Sequence, residues 1–137
     1  CSSDLALADP AVRAALRRVF ATMAEALRLL GAETALCVHG AGGLDELSCE
    51  GPSRTAWLSG GAVRDVDIGP EHAAGAKNVD VRGGDASMNA DHLLRLLDGA
   101  LADSAYESFV VLNAGAALMV AGRAETVADG ATLARAS

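Results

Sequence analysis

Two carboxylates stand side by side at Asp45 and Glu46, directly after a run of glycines at Gly40, Gly42 and Gly43. Glycine opens backbone geometries closed to other residues and lets the main chain approach a ligand closely. A hard cation such as Mg²⁺ takes one or two carboxylates and fills its shell with water and substrate phosphate. Asp45 and Glu46 are therefore suited to hold a magnesium ion that accompanies a diphosphate. His39, Gly40, Gly42 and Gly43 are the candidate substrate contacts around them. The pair also has a plainer alternative: an N-cap Asp and a first-turn Glu, favourable against the dipole of a following helix.

The remaining polar groups offer less. His39 has no positioned partner base in the sequence, so no catalytic residue is assigned, and a packed or hydrogen-bonded imidazole is its ordinary role. His72 and His92 lack partners at ligand spacing and read as surface residues. Cys37 and Cys49 read as core or near-core thiols, with nothing beside them to lower their pKa for nucleophilic work. Asn113 interrupts an apolar run and needs a hydrogen-bond partner, which points to a structural bond.

These residues must be positioned by regular elements. Asp9-Pro10 is a strong helix start, with Asp as N-cap and Pro at the first helical position. Val12, Leu16, Val19, Phe20, Met23, Leu27 and Leu30 follow at helical spacing, and Gly31 is a natural stop. Ala35–Val38 reads as a buried strand of an α/β unit, with the glycine loop at its C-terminal end. Arg54–Leu58 and Ala62–Ile68 flank Ser59-Gly60-Gly61, a hairpin turn. Residues 69–84 read as irregular. Asp85 caps a helix whose apolar side is Leu93, Leu94, Leu96, Leu97 and Leu101. Phe109–Ala121 is long and apolar enough for a buried helix, and Val127–Ala136 forms a last one.

Composition narrows the partners. The formal net charge is −7, and the one basic cluster, Arg13, Arg17 and Arg18, falls on the outer side of an amphipathic helix. A nucleic acid partner needs an electrostatic footprint that this chain lacks. No run of roughly 18 apolar residues exists to span a membrane. Cys1, Cys37 and Cys49 are odd in number and form no CxxC pair, which reads as free thiols of a cytoplasmic protein. The start at Cys1, with neither Met nor a signal peptide, reads as a processed or trimmed end.

Several short segments carry a resemblance. Leu29-Leu30-Gly31-Ala32-Glu33, Val38-His39-Gly40, Gly43-Leu44-Asp45-Glu46-Leu47-Ser48 and Gly51-Pro52-Ser53 come first. Arg82-Gly83-Gly84-Asp85, Leu112-Asn113-Ala114 and Val120-Ala121-Gly122-Arg123-Ala124 follow. In that order they resemble the C-terminal part of the anthranilate phosphoribosyltransferase family, over residues 23–137. The resemblance implies an α/β fold: the C-terminal portion of a nucleoside phosphorylase/phosphoribosyltransferase-type α/β domain, with helices packed on a mixed sheet and a β-hairpin. Residues 1–137 would then be a single partial domain.

For function, the resemblance implies transfer of phosphoribosyl from phosphoribosyl pyrophosphate to the amine of anthranilate, in tryptophan biosynthesis. The family's adjacent Asp-Glu pair, which binds Mg²⁺, maps onto Asp45 and Glu46. Its Gly-Thr-Gly-Gly-Asp pyrophosphate loop, its Lys-His-Gly-Asn-Arg motif and its anthranilate-contacting arginine lie nearer the N-terminus and have no counterpart here. The expectation is an enzyme part that works with a second chain or segment carrying the N-terminal half. The alternative is a catalytically inactive truncated homologue serving as a binding or structural module.

Overall fold

Asp9 opens the first helix as its position requires: its carboxylate accepts from the Ala11 amide at 2.7 Å, and Pro10 takes the first turn. This helix, α1, spans Pro10–Leu29. Gly31, at φ 94°, ends it in the left-handed region, and the Ala32 amide turns back to the Leu27 carbonyl at 3.0 Å. The computed structural model describes residues 9–73 and 81–137. Cys1, residues 74–80 of the segment read as irregular, and the side chain of His72 lie outside the described residues.

Three strands follow: β1 (Ala35–His39), β2 (Ser53–Ser59) and β3 (Ala62–Ile68), in the order β1-β2-β3. Gly60 and Gly61 both have positive φ, at 58° and 75°, which suits the two-residue hairpin between Ser59 and Ala62. In register, Cys37 lies opposite Ala56, and Ala56 opposite Asp65. The class is α/β, as expected. Within the described residues, however, the sheet is antiparallel throughout rather than mixed. The loop from Gly40 to Pro52 reverses the chain, whereas a parallel neighbour needs a longer crossover.

The sheet is covered on both faces. On one, Ala24 of α1 packs with Cys37 and Ala56, flanked by Phe20 and Val63. On the other, Leu47, Cys49 and Ile68 pack against Leu112, Ala116 and Val127. The last two helices supply that second layer: α3 (Ala105–Val120), capped by Ser104, and α4 (Val127–Arg135), capped by Thr126. They approach closely at Gly115, where an added Cβ would lie 2.6 Å from the Ala131 nitrogen. A short turn at Pro70–Ala73 follows β3. Asp85 caps α2 (Ala86–Leu97) by accepting from the Met88 amide at 2.9 Å. No helix among the described residues is long and apolar enough to cross a membrane.

Two apolar helix sides are partly open among the described residues, and one expectation needs correction. Along the apolar stripe of α1, Val12, Leu16 and Phe20 are partly buried, whereas Val19, Met23, Leu27 and Leu30 are exposed, Leu30 by 85%. Leu93, Leu94 and Leu97 of α2 are likewise exposed, and that helix buries no residue. Arg17, expected on a solvated face, reaches the sheet and pairs with Asp65 at 3.4 Å and Asp67 at 3.0 Å. Periodicity marks a helix face as apolar, but it does not say what covers that face.

Candidate functional site

Strand β1 delivers His39 and Gly40 to a tight turn. The backbone makes a 3-10 turn over Ala41–Gly43, with Gly42 and Gly43 at φ 80° and 85°. The Gly40 amide donates to the Leu44 carbonyl at 2.9 Å, and the Gly43 amide donates to the Gly40 carbonyl at 3.1 Å. The chain thus folds back across Gly40. A Cβ there would press into the Glu46 carbonyl oxygen and lie 3.0 Å from the Leu44 Cβ. Only glycine lets the strand end and the returning loop meet at this distance.

Beyond Leu44, Asp45 and Glu46 sit on an exposed bend, and residues 44–52 form a loop. The capping alternative fails, since no helix starts at Asp45. The base of the loop is fixed. Asn113 of α3 accepts from the Leu47 amide at 2.9 Å and donates to the Leu47 carbonyl at 3.1 Å and the Phe109 carbonyl at 3.0 Å. The Ser48 amide donates to Ser53 Oγ at 2.8 Å, and the Glu50 amide donates to Ser48 Oγ at 3.1 Å. Leu47, Ser48 and Cys49 are buried. Two exposed carboxylates are thereby mounted on a rigid, buried footing.

Electrostatics sharpen the picture. Burial, and then the neighbouring charge of Asp45, push the Glu46 carboxyl above its ordinary range. A carboxyl raised in part by a neighbouring carboxylate is a place where a cation would favour the ionised form. Among the described residues no three His, Cys, Asp or Glu side chains converge. Asp45 and Glu46 are two adjacent oxygen donors, a set of the kind that could hold Mg²⁺, which keeps several waters.

The structure brings Gly40, Gly42, Gly43, Asp45 and Glu46 into one loop. His39 stands at its root but turns toward α1, its ring stacked on Phe20 at 5.9 Å and 24°. Its Nε2 is buried and has no hydrogen-bond partner among the described residues. Cys37 and Cys49 are buried, and burial raises both thiols, as core residues. His92 is not a simple surface residue: it is half-buried, edge-on to Tyr106 at 5.4 Å. Sequence reasoning gave Asn113 a structural bond but not its partner, Leu47. The single amide in an apolar helix was the signal available.

The family profile described as glycosyl transferase family, a/b domain, matches residues 13–137. The chain is similar to proteins named anthranilate phosphoribosyltransferase. That of Parvibaculum lavamentivorans is 46% identical over 93% of this chain and 39% of its own length. That of Rhodospirillum rubrum is 47% identical over 91% of this chain and 38% of its own length. That of Rubrobacter xylanophilus is 44% identical over 84% of this chain and 34% of its own length. The chain thus spans less than two fifths of the length of each of these relatives.

Proposed function

We propose, because this chain belongs to the glycosyl transferase family and carries part of its a/b domain, that it is the C-terminal part of an enzyme making phosphoribosyl anthranilate. In that reading residues 1–137 are one partial α/β domain of a cytoplasmic enzyme. The substrates are phosphoribosyl pyrophosphate and anthranilate. The observation that carries the reading is the loop Gly40–Glu46, with two adjacent exposed carboxylates, the Glu46 carboxyl raised by burial and then by Asp45, on a footing fixed by Asn113.

Asp45 and Glu46 would hold Mg²⁺, whose contribution is to offset charge on the departing pyrophosphate. The chain's own residues do the positioning. Gly40, Gly42 and Gly43 keep the loop backbone low enough for a phosphate to approach, and Leu47, Ser48 and Cys49 anchor the carboxylates from below. In the transfer, the bond from the ribose carbon to pyrophosphate breaks and a bond from that carbon to the anthranilate nitrogen forms. The amine proton leaves to water or a base outside these 137 residues. Holding donor and acceptor in one geometry can be worth about 7–11 kcal/mol of barrier, and one loop supplies only a corner of it. The reading therefore includes a second chain or segment that brings the remaining phosphate contacts and the acceptor site.

The test is direct. The 137-residue chain, its mass confirmed, should give no phosphoribosyl anthranilate above background. Activity should appear when a polypeptide supplying the rest of a relative's length is present. Clear turnover by the pure chain would sink this reading.

A further inference from the structure

The face of the sheet that meets α3 and α4 carries a cavity in which no residue of the loop Gly40–Glu46 takes part. Side chains alternate along a strand, so Leu36 of β1 and Trp57 of β2, partners in register, share a face with Val66 of β3. With Met119 of α3 and Val127 of α4 they line a cavity of about 290 Å³. That is near the small end of ligand pockets, which run roughly 300–1,000 Å³ and are mostly apolar with a few placed polar groups. The indole of Trp57 is only partly buried there. Leu36 stands near the start of β1 and Gly40 just beyond its end, so the cavity is separate from the glycine loop.

The mouth of this cavity is negative. Glu71 and Glu125, both exposed, line it beside the apolar wall. The Glu71 carboxylate lies against Gly69, where an added Cβ would meet it, so its place depends on that glycine. Glu125 makes no hydrogen bond or ion pair among the described residues. Asp67 also lines the cavity, but Arg17 takes its carboxylate at 3.0 Å. No lysine, arginine or histidine among the described residues lines it, and Arg64, opposite Trp57 in register, stays outside. A positive pole does lie beside it, the N-terminus of α4, but the Thr126 hydroxyl and Asp129 of the first turn already meet that pole. A chain of net charge −7 adds a long-range bias toward cations.

We propose that this cavity binds a small organic cation, a primary amine with an apolar body, and so goes beyond the functional reading above. The apolar body would lie among Leu36, Trp57, Met119 and Val127, with the ammonium at the mouth beside Glu71 and Glu125. An ammonium gains from the face of an indole as well as from carboxylates, and Trp is the strongest of its aromatic partners. A neutral molecule would use the apolar wall alone, and an anion would meet two carboxylates. Shape and charge thus select one class of ligand from separate observations.

Trp57 is the only tryptophan of the chain, so its emission reports on this cavity directly. The full 137-residue chain is titrated with phenethylamine, and with 2-phenylethanol and phenylacetate as its neutral and anionic analogues. Phenethylamine should change the emission saturably, at a midpoint at least about tenfold below that of either analogue. The methyl resonances of Leu36 and Val127 should shift with the same midpoint. The double variant Glu71→Gln/Glu125→Gln, confirmed folded by circular dichroism, should bind phenethylamine at least about tenfold more weakly and 2-phenylethanol as before. Asp45→Ala should bind phenethylamine like the native chain. Absence of saturation, equal midpoints for amine and alcohol, or an unchanged midpoint in the double variant would each overturn the proposal. Should the double variant not fold, the comparison of amine with alcohol in the native chain decides alone.

Discussion

The side-chain amide of Asn113 holds Leu47 from both sides, its Oδ1 accepting from the Leu47 amide at 2.9 Å and its Nδ2 donating to the Leu47 carbonyl at 3.1 Å. One residue of the apolar helix α3 thus sets the height of the loop that carries Asp45 and Glu46. Asn113→Ala leaves buried backbone groups of Leu47 unpaired, at a cost of about 1–3 kcal/mol. Asn113→Asp keeps the acceptor, but it turns a second oxygen on the Leu47 and Phe109 carbonyls and should destabilise at least as much. Denaturant unfolding of both variants checks this, and a wild-type midpoint for Asn113→Ala would contradict it.

Gly40 and Gly43 should behave differently when changed to alanine. At Gly40 the new Cβ meets the Glu46 carbonyl, a backbone atom that cannot swing away. The returning loop must shift, with an overpacking cost of about 1–3 kcal/mol. At Gly43 the space is open and only the φ of 85° is strained. Both variants lose stability, but Gly40→Ala alone should also displace Glu46. Amide chemical shifts of residues 44–48 read the difference, and equal perturbation by both substitutions would count against the packing described.

How much of this was legible beforehand varies with the kind of evidence. The Asp9, Gly31, Gly60-Gly61 and Asp85 signals act within a few residues of themselves, and each does in the fold what its chemistry suggests. The glycine turn was legible for the same reason. Which residues of the α1 stripe would be buried was not legible, because Met23 and Leu27 report apolarity but not what lies beside them. The antiparallel pairing of β1 was hidden as well: four apolar residues look alike in a parallel or antiparallel neighbourhood. Arg17 was misplaced because its partners, Asp65 and Asp67, lie far along the sequence.

The raised Glu46 carboxyl fixes a pH dependence. Burial is its larger cause and Asp45 the next. Between the ordinary glutamate value and the raised one, the folded chain binds more proton than the unfolded chain. Stability therefore falls as pH rises through that window and is regained on acidification. A magnesium ion held by Asp45 and Glu46 would need both carboxyls ionised, so on the proposed reading its affinity should rise across the same window, and Glu46→Gln should remove that step. A carboxyl NMR titration placing Glu46 at or below the ordinary glutamate value would refute this.

The most direct measurement is the magnesium dependence of phosphoribosyl pyrophosphate binding by the assembled protein, with the native chain and with Asp45→Ala. The carboxylate lies on an exposed loop, so the variant should fold and assemble normally. With the native chain, saturating magnesium should tighten binding at least about tenfold, because Asp45 and Glu46 would hold the ion that offsets the diphosphate charge. With Asp45→Ala that gain should disappear. An identical magnesium dependence in the two proteins would contradict the account.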